Sequence, residues 1–429
     1  MLYCRFNHKT AWQRNAGKVL LLRVVVVFAL GILLSPVTAR ADVVTDWNAI
    51  ANTVVVTNAG RPPGVAHVDM AYVHIAIYDA VNAIDGRYSA FAVTPSSVPT
   101  GSSPEAAAAA AAYQVLKSFF PAQQTFLASA YAASLSTIPD GAAKTNGIAV
   151  GTEVATLFLA LRTGDGRNAS ITYTPGSGPG EWQPTPPVFG APLAPWMAYM
   201  RPFALLDSSQ FRAEGPPALD SAQWAADYNE TKRFGALNST SRTPEQTEIG
   251  RFYSEHVTAQ YNRIFREFAA IQGLSLADNA RLLAMLYVAG ADALIAGWES
   301  KYYYRFWRPV TAIRAGDTDG NPATEANLSW SPLVVTPPHP EYPAAHGCFT
   351  GAVAETLRAF FGTKRVTITL TSTVTGSART FHNTDDLIHE IIDARIFGGM
   401  HYRTSGVHGT VIGKKVAKWV AKHYFQPIN

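Results

Sequence analysis

Three short segments carry the cationic and imidazole side chains that an oxyanion site requires. Lys301 and Arg308 lie in KYYYRFWRP, His346 lies in PAAHG, and Arg395 and His401 lie in ARIFGGMH. Lysine and arginine bind oxyanions through charged hydrogen bonds, and an imidazole can act as a ligand, a nucleophile or an acid/base group. Together the segments predict a site for a tetrahedral anion.

The first segment places its cations at helical spacing. Lys301, Arg305 and Arg308 recur at i, i+4 and i+7, which puts them on one face of a continuous helix, with Trp298 one turn before Lys301. Because Pro309 disfavours helical geometry at the preceding residue, we expect the helix to end at Arg308 and its guanidinium to turn inward. Two cations about 10 Å apart along this axis can straddle one anion.

The other two segments place histidines at helix ends. His346 follows a proline at the start of a predicted helix, and two glycines after Phe397 predict that a helix ends there and that His401 lies on the next loop. Each segment alone is also typical of a solvated helix face. The prediction therefore depends on all three segments converging.

Helical patterns dominate the rest of the chain and predict an all-α protein. We expect helices in the segments HVDMAYVHIAIYDAVNAI, PEAAAAAAAYQVLKSFF, TPEQTEIGRFYSEHVTAQYNRIFREFAAIQ, LADNARLLAMLYVAGADALIAGWESKYYYRFW and VIGKKVAKWVAKHYF. KRVTITLTSTV is a weak β-like run that favours a short hairpin or an ordered excursion.

A stretch rich in glycine, proline and aromatic residues runs from Thr163 to Leu205. Its glycine and proline content excludes regular elements, but its aromatic side chains need burial. We expect a long ordered loop packed on the domain or on a second subunit, with four aromatic residues buried: Trp182, Phe189, Trp196 and Phe203.

Residues 1–41 have the order of a secretory signal: basic residues, a short apolar run, and Ala39-Arg40-Ala41. The apolar run from Val24 to Leu34 is shorter than the roughly 20 residues that a membrane span needs, so we expect cleavage rather than stable membrane insertion. Removing six basic residues leaves 29 of the 35 Lys and Arg beside all 31 Asp and Glu. This balance argues against a nucleic-acid partner. The signal itself predicts a periplasmic or secreted protein.

Cys348 would be the single cysteine left after cleavage, so an intrachain disulfide is excluded. It points away from His346 on the predicted helix, and we interpret it as a buried small hydrophobe.

Taken together and in this order, the three segments resemble the signature segments of the vanadium-dependent haloperoxidase and type-2 phosphatidic acid phosphatase superfamily. Further segments, including AYVHIAIYDAVNAI, PGEWQPTPP, GPPAL, RTPEQTEIGRFY and GVHG, look like its soluble bacterial haloperoxidase-type branch, over about residues 45–425. The resemblance implies two four-helix bundles within one helical domain, residues 42–429, with the signature segments within 298–408.

The resemblance also implies a role for each site residue. His401 would be the nitrogen ligand of vanadate, or the nucleophile that takes up a phosphoryl group if phosphate occupies the same site. His346 would be the acid/base group, and the backbone N–H of Ala345 would donate to an oxygen. The equatorial oxygens would be bound by three cations, of which the first also polarises peroxide: Lys301, Arg308 and Arg395.

Trp298 and His339 would line the place where the halide arrives, and His339 would tune the site toward bromide or iodide; a solvated turn histidine is the alternative. Two alanines depart from the family pattern. Ala344 and Ala394 each stand where the family has serine, and the loss of one charged hydrogen bond at Ala344 costs roughly 1.5–3 kcal/mol.

Other histidines lie beside acids at helical spacing. His67 and His74 share a face with Asp79 nearby, and we expect packing or hydrogen bonding rather than a metal site. His382 and His389 adjoin several acids, and we expect a solvated helix face there, although one of those acids is a candidate to orient a site histidine.

These observations favour a vanadate-dependent haloperoxidase that oxidises bromide or iodide with hydrogen peroxide and halogenates an organic acceptor. The alternatives are a soluble acid phosphatase acting through a phosphohistidine, and a non-catalytic descendant that uses the scaffold for assembly. Assembly into a homo-oligomer is a further alternative that the sequence leaves open.

Overall fold

Thirteen α-helices and one antiparallel hairpin make up the regular structure of residues 42–428, the part of the chain that the computed structural model describes. This confirms the all-α prediction and the hairpin; the expected signal peptide lies outside the described residues. The elements are α1 Val43–Asn52, α2 Pro63–Asp85, α3 Pro104–Phe119, α4 Gln124–Ser136, α5 Ala142–Leu161, α6 Ala222–Phe234, α7 Pro244–Phe252, α8 Val257–Gln272, α9 Leu276–Tyr304, α10 Pro309–Arg314, α11 Ala345–Phe361, β1 Ile368–Thr371, β2 Ala378–Phe381, α12 Thr384–Phe397 and α13 Arg403–His423.

Helix α9 joins two groups of packed helices. On one side it contacts α2, which packs on α3 and α5; on the other it contacts α11 and α13, and α12 packs on both of these. By length and composition α9 could cross a membrane, but 94% of its most apolar window is buried inside the protein. We therefore interpret α9 as a core helix.

Helices α11 and α13 are in close contact because small residues line their interface. A Cβ atom added at Gly409 would lie 2.5 Å from the carbonyl oxygen of Ala344, and one added at Gly347 would lie 2.6 Å from that of Gly406. Cys348 is fully buried within this interface, as a small hydrophobe. The close approach brings the N-termini of both helices to one place in the fold.

Helix α9 ends four residues earlier than the sequence predicted. Arg305 adopts a left-handed conformation (φ 51°) and its N–H caps the carbonyl of Lys301 at 2.8 Å. The next residue, Phe306, pairs with Glu181 as extended chain. The prediction that Lys301, Arg305 and Arg308 share one helical face is therefore wrong. The chain is extended where it pairs with the long loop, so the helix ends before Arg308.

The long loop between α5 and α6 is ordered around buried aromatic side chains. Trp182 and Trp196 are buried and Phe203 is partly buried, but Phe189 is 63% exposed, so its predicted burial is wrong. The loop also reaches α9, since the carbonyl of Leu193 accepts hydrogen bonds from Trp298 Nε1 (3.3 Å) and the Tyr302 hydroxyl (2.7 Å).

Candidate anion-binding active site

Several helix ends and two loops enclose a small cavity of about 100 Å³. The first turns of α2, α8 and α11 reach it, and so does the long loop through Leu193. The cavity is lined by Pro63, Gly64, Leu193, Val257, Leu294, Trp298, Pro337, His339, Ala345, His346, Phe349, Arg395 and His401. Six of the eight predicted site residues are among these, and the other two, Lys301 and Arg308, reach the cavity walls through hydrogen bonds.

Arg308 is fully buried and holds two site histidines. Its Nη1 donates to His401 Nε2 (3.1 Å) and to the carbonyl of Met400 (2.9 Å), while Nη2 lies 2.9 Å from His339 Nδ1. Its Nε donates to the carbonyl of His339 at 2.8 Å. The guanidinium thus joins the loop before α11 to the loop before α13.

Lys301 is also fully buried, at the last turn of α9. Its ammonium donates to the carbonyls of Pro340 (2.9 Å), Glu341 (2.8 Å) and Pro343 (2.5 Å). These three bonds use all three protons of the ammonium. Lys301 therefore contributes charge and holds the loop in place, and it can donate to an anion only by releasing a carbonyl.

Arg395 extends from the end of α12 into the cavity wall and keeps a donor free. Its Nη1 donates to the carbonyl of Tyr253 (3.1 Å) and its Nη2 contacts the sulfur of Met400 (3.2 Å). Its buried Nε has no hydrogen-bond partner among the described residues. A buried charged donor without an acceptor is costly, which indicates that something else accepts from it.

The N-terminus of α11 presents His346 and free backbone donors. The first N–H groups of a helix have no intrahelical acceptor, and Ala344, the N-cap residue, supplies no side-chain cap for them. His346 Nε2 is buried without a partner among the described residues. An uncapped helix N-terminus with a free imidazole nitrogen beside it suits an anion.

Trp298 and His339 lie together at one side of the cavity, with ring centroids 5.0 Å apart. A Cβ atom added at Gly64 would lie 3.1 Å from the Trp298 ring, so the first turn of α2 leaves room for the indole. His339 is buried, not a solvated turn residue. Both aromatic side chains narrow the cavity.

One residue that the sequence analysis did not single out completes the site. Glu341 is fully buried, and its Oε1 accepts from His401 Nδ1 at 2.8 Å and from the backbone N–H of Tyr402 at 3.1 Å. The sequence contained a possible signal for this residue, because Glu341 lies between two prolines in HPEYPAAH, close to His346. A glutamate that is buried at such a place almost always has a partner.

Charge in the site is strongly unbalanced. Lys301 and Arg308 are 0% exposed and Arg395 is 3% exposed, and among the described residues none of the three forms an ion pair within 4 Å. Burial, followed by repulsion from Arg308, lowers the pKa of Arg395 to about 9 and that of Lys301 well below its ordinary value. An anion in the cavity would relieve both effects.

The site histidines are held neutral. Burial, followed by the neighbouring cations, lowers the pKa of His346, His339 and His401 well below the ordinary value. Burial raises the pKa of Glu341 to about 7, against the opposing effect of Lys301 and Arg308. At neutral pH the imidazoles are therefore uncharged hydrogen-bond acceptors, and among them His346 Nε2 has no protein partner in the described structure.

The other predicted histidine sites do not join the cavity lining. Asp79 accepts from the N–H groups of Phe91, Ala92 and Val93 rather than from a histidine. The acids near His382 and His389 pair with arginines: Asp385 with Arg358, Glu390 with Arg379, and Asp393 with Arg403. Their role is structural, and none of them orients His401.

The donor set fits vanadate. Vanadate is an oxyanion, and the cavity offers the free Nε of Arg395 and the uncapped N-terminus of α11, beside an unprotonated His401 Nε2 that accepts from Arg308. Within residues 42–428 there is no cluster of three His, Cys, Asp or Glu side chains spaced to hold a metal cation. The fold and site together define a helical-bundle protein with a cavity suited to an oxyanion.

Comparison with known proteins supports a more specific assignment. Residues 281–429 match the family model described as the VCPO second helical-bundle domain. Vanadium chloroperoxidase of Curvularia inaequalis is 32% identical over 263 residues, which cover 49% of this chain and 42% of that protein, so the match spans less than half of the relative's length.

Solved structures extend the likeness to most of the chain. A bacterial vanadium-dependent iodoperoxidase superposes with a TM-score of 0.77 at 25% identity, covering 89% of this chain and 97% of that one. A holo-type bacterial vanadium-dependent chloroperoxidase shares the fold, with a TM-score of 0.68 at 17% identity over 86% of this chain and 93% of that one. These comparisons relate residues 281–429 to the VCPO second helical-bundle domain and the fold of most of the chain to bacterial vanadium-dependent haloperoxidases.

Proposed function

We propose that this protein is a vanadate-dependent haloperoxidase that oxidises bromide or iodide with hydrogen peroxide. The observation that carries the proposal is the set of three buried cations, Lys301, Arg308 and Arg395, which have no ion-pair partner among the described residues. Burying unpaired charge costs several kcal/mol per ion, and the buried Glu341 offsets only part of this cost, so a bound anion would stabilise the cluster.

The side chains have separate tasks in holding this anion. His401 Nε2, which accepts from Arg308 Nη1 in this structure, would be the nitrogen ligand. Arg395 would donate through its free Nε, and the first N–H groups of α11 would donate from the backbone. Lys301 and Arg308 neutralise its charge. When bound, vanadate supplies a fully oxidised, Lewis-acidic centre at which hydrogen peroxide becomes reactive toward halides.

His346 is suited to move the proton of hydrogen peroxide. Its Nε2 has no protein partner in the described structure, and the imidazole is neutral at pH 7 because burial and Arg395 lower its pKa. A neutral imidazole beside the anion accepts a proton as peroxide enters and returns it later. The bound anion raises the pKa of His346, so proton acceptance is favoured only when the site is loaded.

Bromide and iodide suit the shape of the cavity. Trp298 and His339 narrow it on one side, and the remaining lining is largely apolar. A large polarisable halide loses less hydration energy than chloride on entering such a cavity. The structural likeness to a bacterial iodoperoxidase supports this choice.

An acid phosphatase is the second candidate, and the pair formed by Glu341 and His401 favours it. A carboxylate hydrogen-bonded to Nδ1 keeps Nε2 unprotonated, as attack on phosphorus requires. The same cations would bind the phosphate oxygens, but the narrow cavity leaves little room for an alcohol leaving group.

One assay distinguishes these functions. Purified protein is given hydrogen peroxide, bromide or iodide and a phenolic dye precursor, with and without vanadate, beside a phosphate-ester control. Vanadate-dependent halogenation supports the peroxidase. Ester hydrolysis that vanadate inhibits, without halogenation between about pH 5 and 8, supports the phosphatase. Vanadate binding with neither activity supports the non-catalytic alternative, which the missing hydroxyl at Ala344 favours.

We also propose that the protein is exported and that residues 42–429 form the mature domain. Asp42 already belongs to the fold, since it caps α1 through Thr45 N (2.9 Å) and accepts from Asn279 Nδ2 (2.6 Å). N-terminal sequencing of exported protein should therefore begin at Asp42. A mature protein that retains residues 1–41 would contradict this proposal.

A further inference from the structure

Glu341 is a buried carboxylate among cations, yet its hydrogen bonds run to the loop that carries His401. It is 0% exposed, and Oε1 accepts from His401 Nδ1 and from the N–H of Tyr402. If its role were only to neutralise charge, an ion pair with Lys301 or Arg308 would be expected, but the carboxylate forms neither. The side chain is thus directed at the imidazole.

The hydrogen bonds on both sides of His401 define its tautomer. A guanidinium only donates, so the 3.1 Å contact between Arg308 Nη1 and His401 Nε2 requires an unprotonated Nε2. The proton of the neutral ring then lies on Nδ1, where Glu341 Oε1 accepts it at 2.8 Å. Arg308 and Glu341 therefore select the same tautomer independently.

Two backbone hydrogen bonds fix Glu341 itself. Its N–H donates to the carbonyl of Phe306 at 2.9 Å, and its carbonyl accepts from Lys301 Nζ at 2.8 Å. The loop is therefore anchored to the end of α9 on one side and to His401 on the other. A displacement of the carboxylate would have to break one of these anchors.

We infer that Glu341 is a positioning residue, which holds the His401 ring in the Nδ1–H tautomer and so keeps Nε2 unprotonated for the anion. The inference rests on the proposed vanadate site and assigns a further residue to it. Hydrogen-bond partners of metal-binding histidines typically affect metal affinity by about 10–100-fold, because they fix both tautomer and ring orientation.

Two substitutions separate positioning from charge. Glu341→Gln removes the charge but keeps an oxygen that can accept the Nδ1 proton, whereas Glu341→Ala removes the acceptor. Glu355→Gln and Glu355→Ala are matched controls, since Glu355 is a buried glutamate of α11 that pairs with Arg358 and does not contact His401.

The first readout is vanadate affinity, measured by calorimetry on the metal-free full chain. We expect Glu341→Ala to weaken vanadate binding by about 10–100-fold, Glu341→Gln to weaken it by less than about tenfold, and the Glu355 variants to bind as the wild type does. Unchanged affinity in Glu341→Ala would overturn the inference, and so would equal losses in the Gln and Ala variants, which would indicate a purely electrostatic role.

The second readout is the tautomer of His401, observed by NMR of protein labelled with ¹⁵N-histidine and assigned by the signals that disappear in His401→Gln. The wild type should show a protonated Nδ1 and an unprotonated Nε2, and Glu341→Ala a mixture of tautomers. A wild-type Nε2–H tautomer would overturn the inference even if Glu341→Ala does not fold. Because neither readout needs peroxide or halide, a wild type without halide oxidation would refute the proposed function and still leave the role of Glu341 decided.

Discussion

Two groups of buried histidines in this protein have lowered pKa values, but only one of them forms a site. His67 and His74 lie inside α2, and burial is the main cause that lowers the pKa of each to about 3. His346 and His401 also have lowered pKa values, and there three cations add to the effect of burial. Burial alone therefore does not identify a functional histidine.

The surroundings explain the difference. His67 stacks on Tyr287 with ring centroids 4.9 Å apart and meets the edge of Phe349 at 4.7 Å, and His74 stacks on Tyr287 at 4.4 Å and lies 2.9 Å from Asn48 Nδ2. These rings fill the space around the pair. The site histidines instead face a cavity beside three buried cations, whose charge Glu341 offsets only in part, and this combination indicates a ligand.

The largest effect should come from removing the anion ligand. We expect His401→Ala to weaken vanadate binding by at least about a hundredfold, because losing the ligand costs more than losing its hydrogen-bond partner. His74→Gln, the core control, should bind vanadate within about twofold of the wild type. Calorimetry on both variants, with circular dichroism as the check on folding, makes the measurement; equal losses would abolish the distinction between the two groups.

Acid stability should depend on the core pair. The unfolded chain binds a proton at each histidine below about pH 6.5, but folded His67 and His74 do so only near pH 3. Stability is therefore lost progressively as pH falls from about 6.5 toward 3, by roughly 2 kcal/mol per histidine at pH 5.

His67→Phe tests the contribution of one of these histidines directly, since the rings that pack on His67 are aromatic. Between pH 7 and 5 the free energy of unfolding should fall less in the variant than in the wild type. The difference should equal the contribution of one histidine. Urea unfolding at both pH values measures the difference, and parallel losses in the two proteins would contradict the assignment.

A moderate gain in vanadate affinity is expected from a substitution at the N-terminus of α11. Ala344→Ser adds a hydroxyl at the N-cap, and we expect vanadate binding to tighten by about tenfold, the value of one charged hydrogen bond. Ala394→Ser, at the other position where the family pattern has serine, is the matched control and should have little effect. If Ala344→Ser binds vanadate no better than the wild type, another group already supplies the hydrogen bond of the missing hydroxyl.

The smallest effect should be on halide choice. His339→Ala opens the cavity beside Trp298 and should shift the ratio of bromide to chloride kcat/KM severalfold, with a minor loss of vanadate affinity because Arg308 loses the contact to His339 Nδ1. The exposed His389→Ala is the control. An unchanged ratio would remove His339 from the halide pocket.

Local pattern in the sequence determined much of this protein. Apolar residues at helical spacing predicted α2, α3, α9 and α13, and the turn glycines predicted the end of α12 at Phe397. These features depend on neighbours within a few residues, which a sequence displays directly. For the same reason the three segments with their cations and histidines could be recognised before the structure was known.

Tertiary structure alone decided how those residues meet. Helix α9 stops at Tyr304 because Phe306 pairs with Glu181, more than a hundred residues earlier in the chain, and this pairing places Arg308 on a separate segment. Lys301 donates to three carbonyls of a loop about forty residues away. Glu341 meets His401 only because α11 and α13 start side by side. Such contacts depend on the packing of distant elements, and periodicity along the chain carries no information about them.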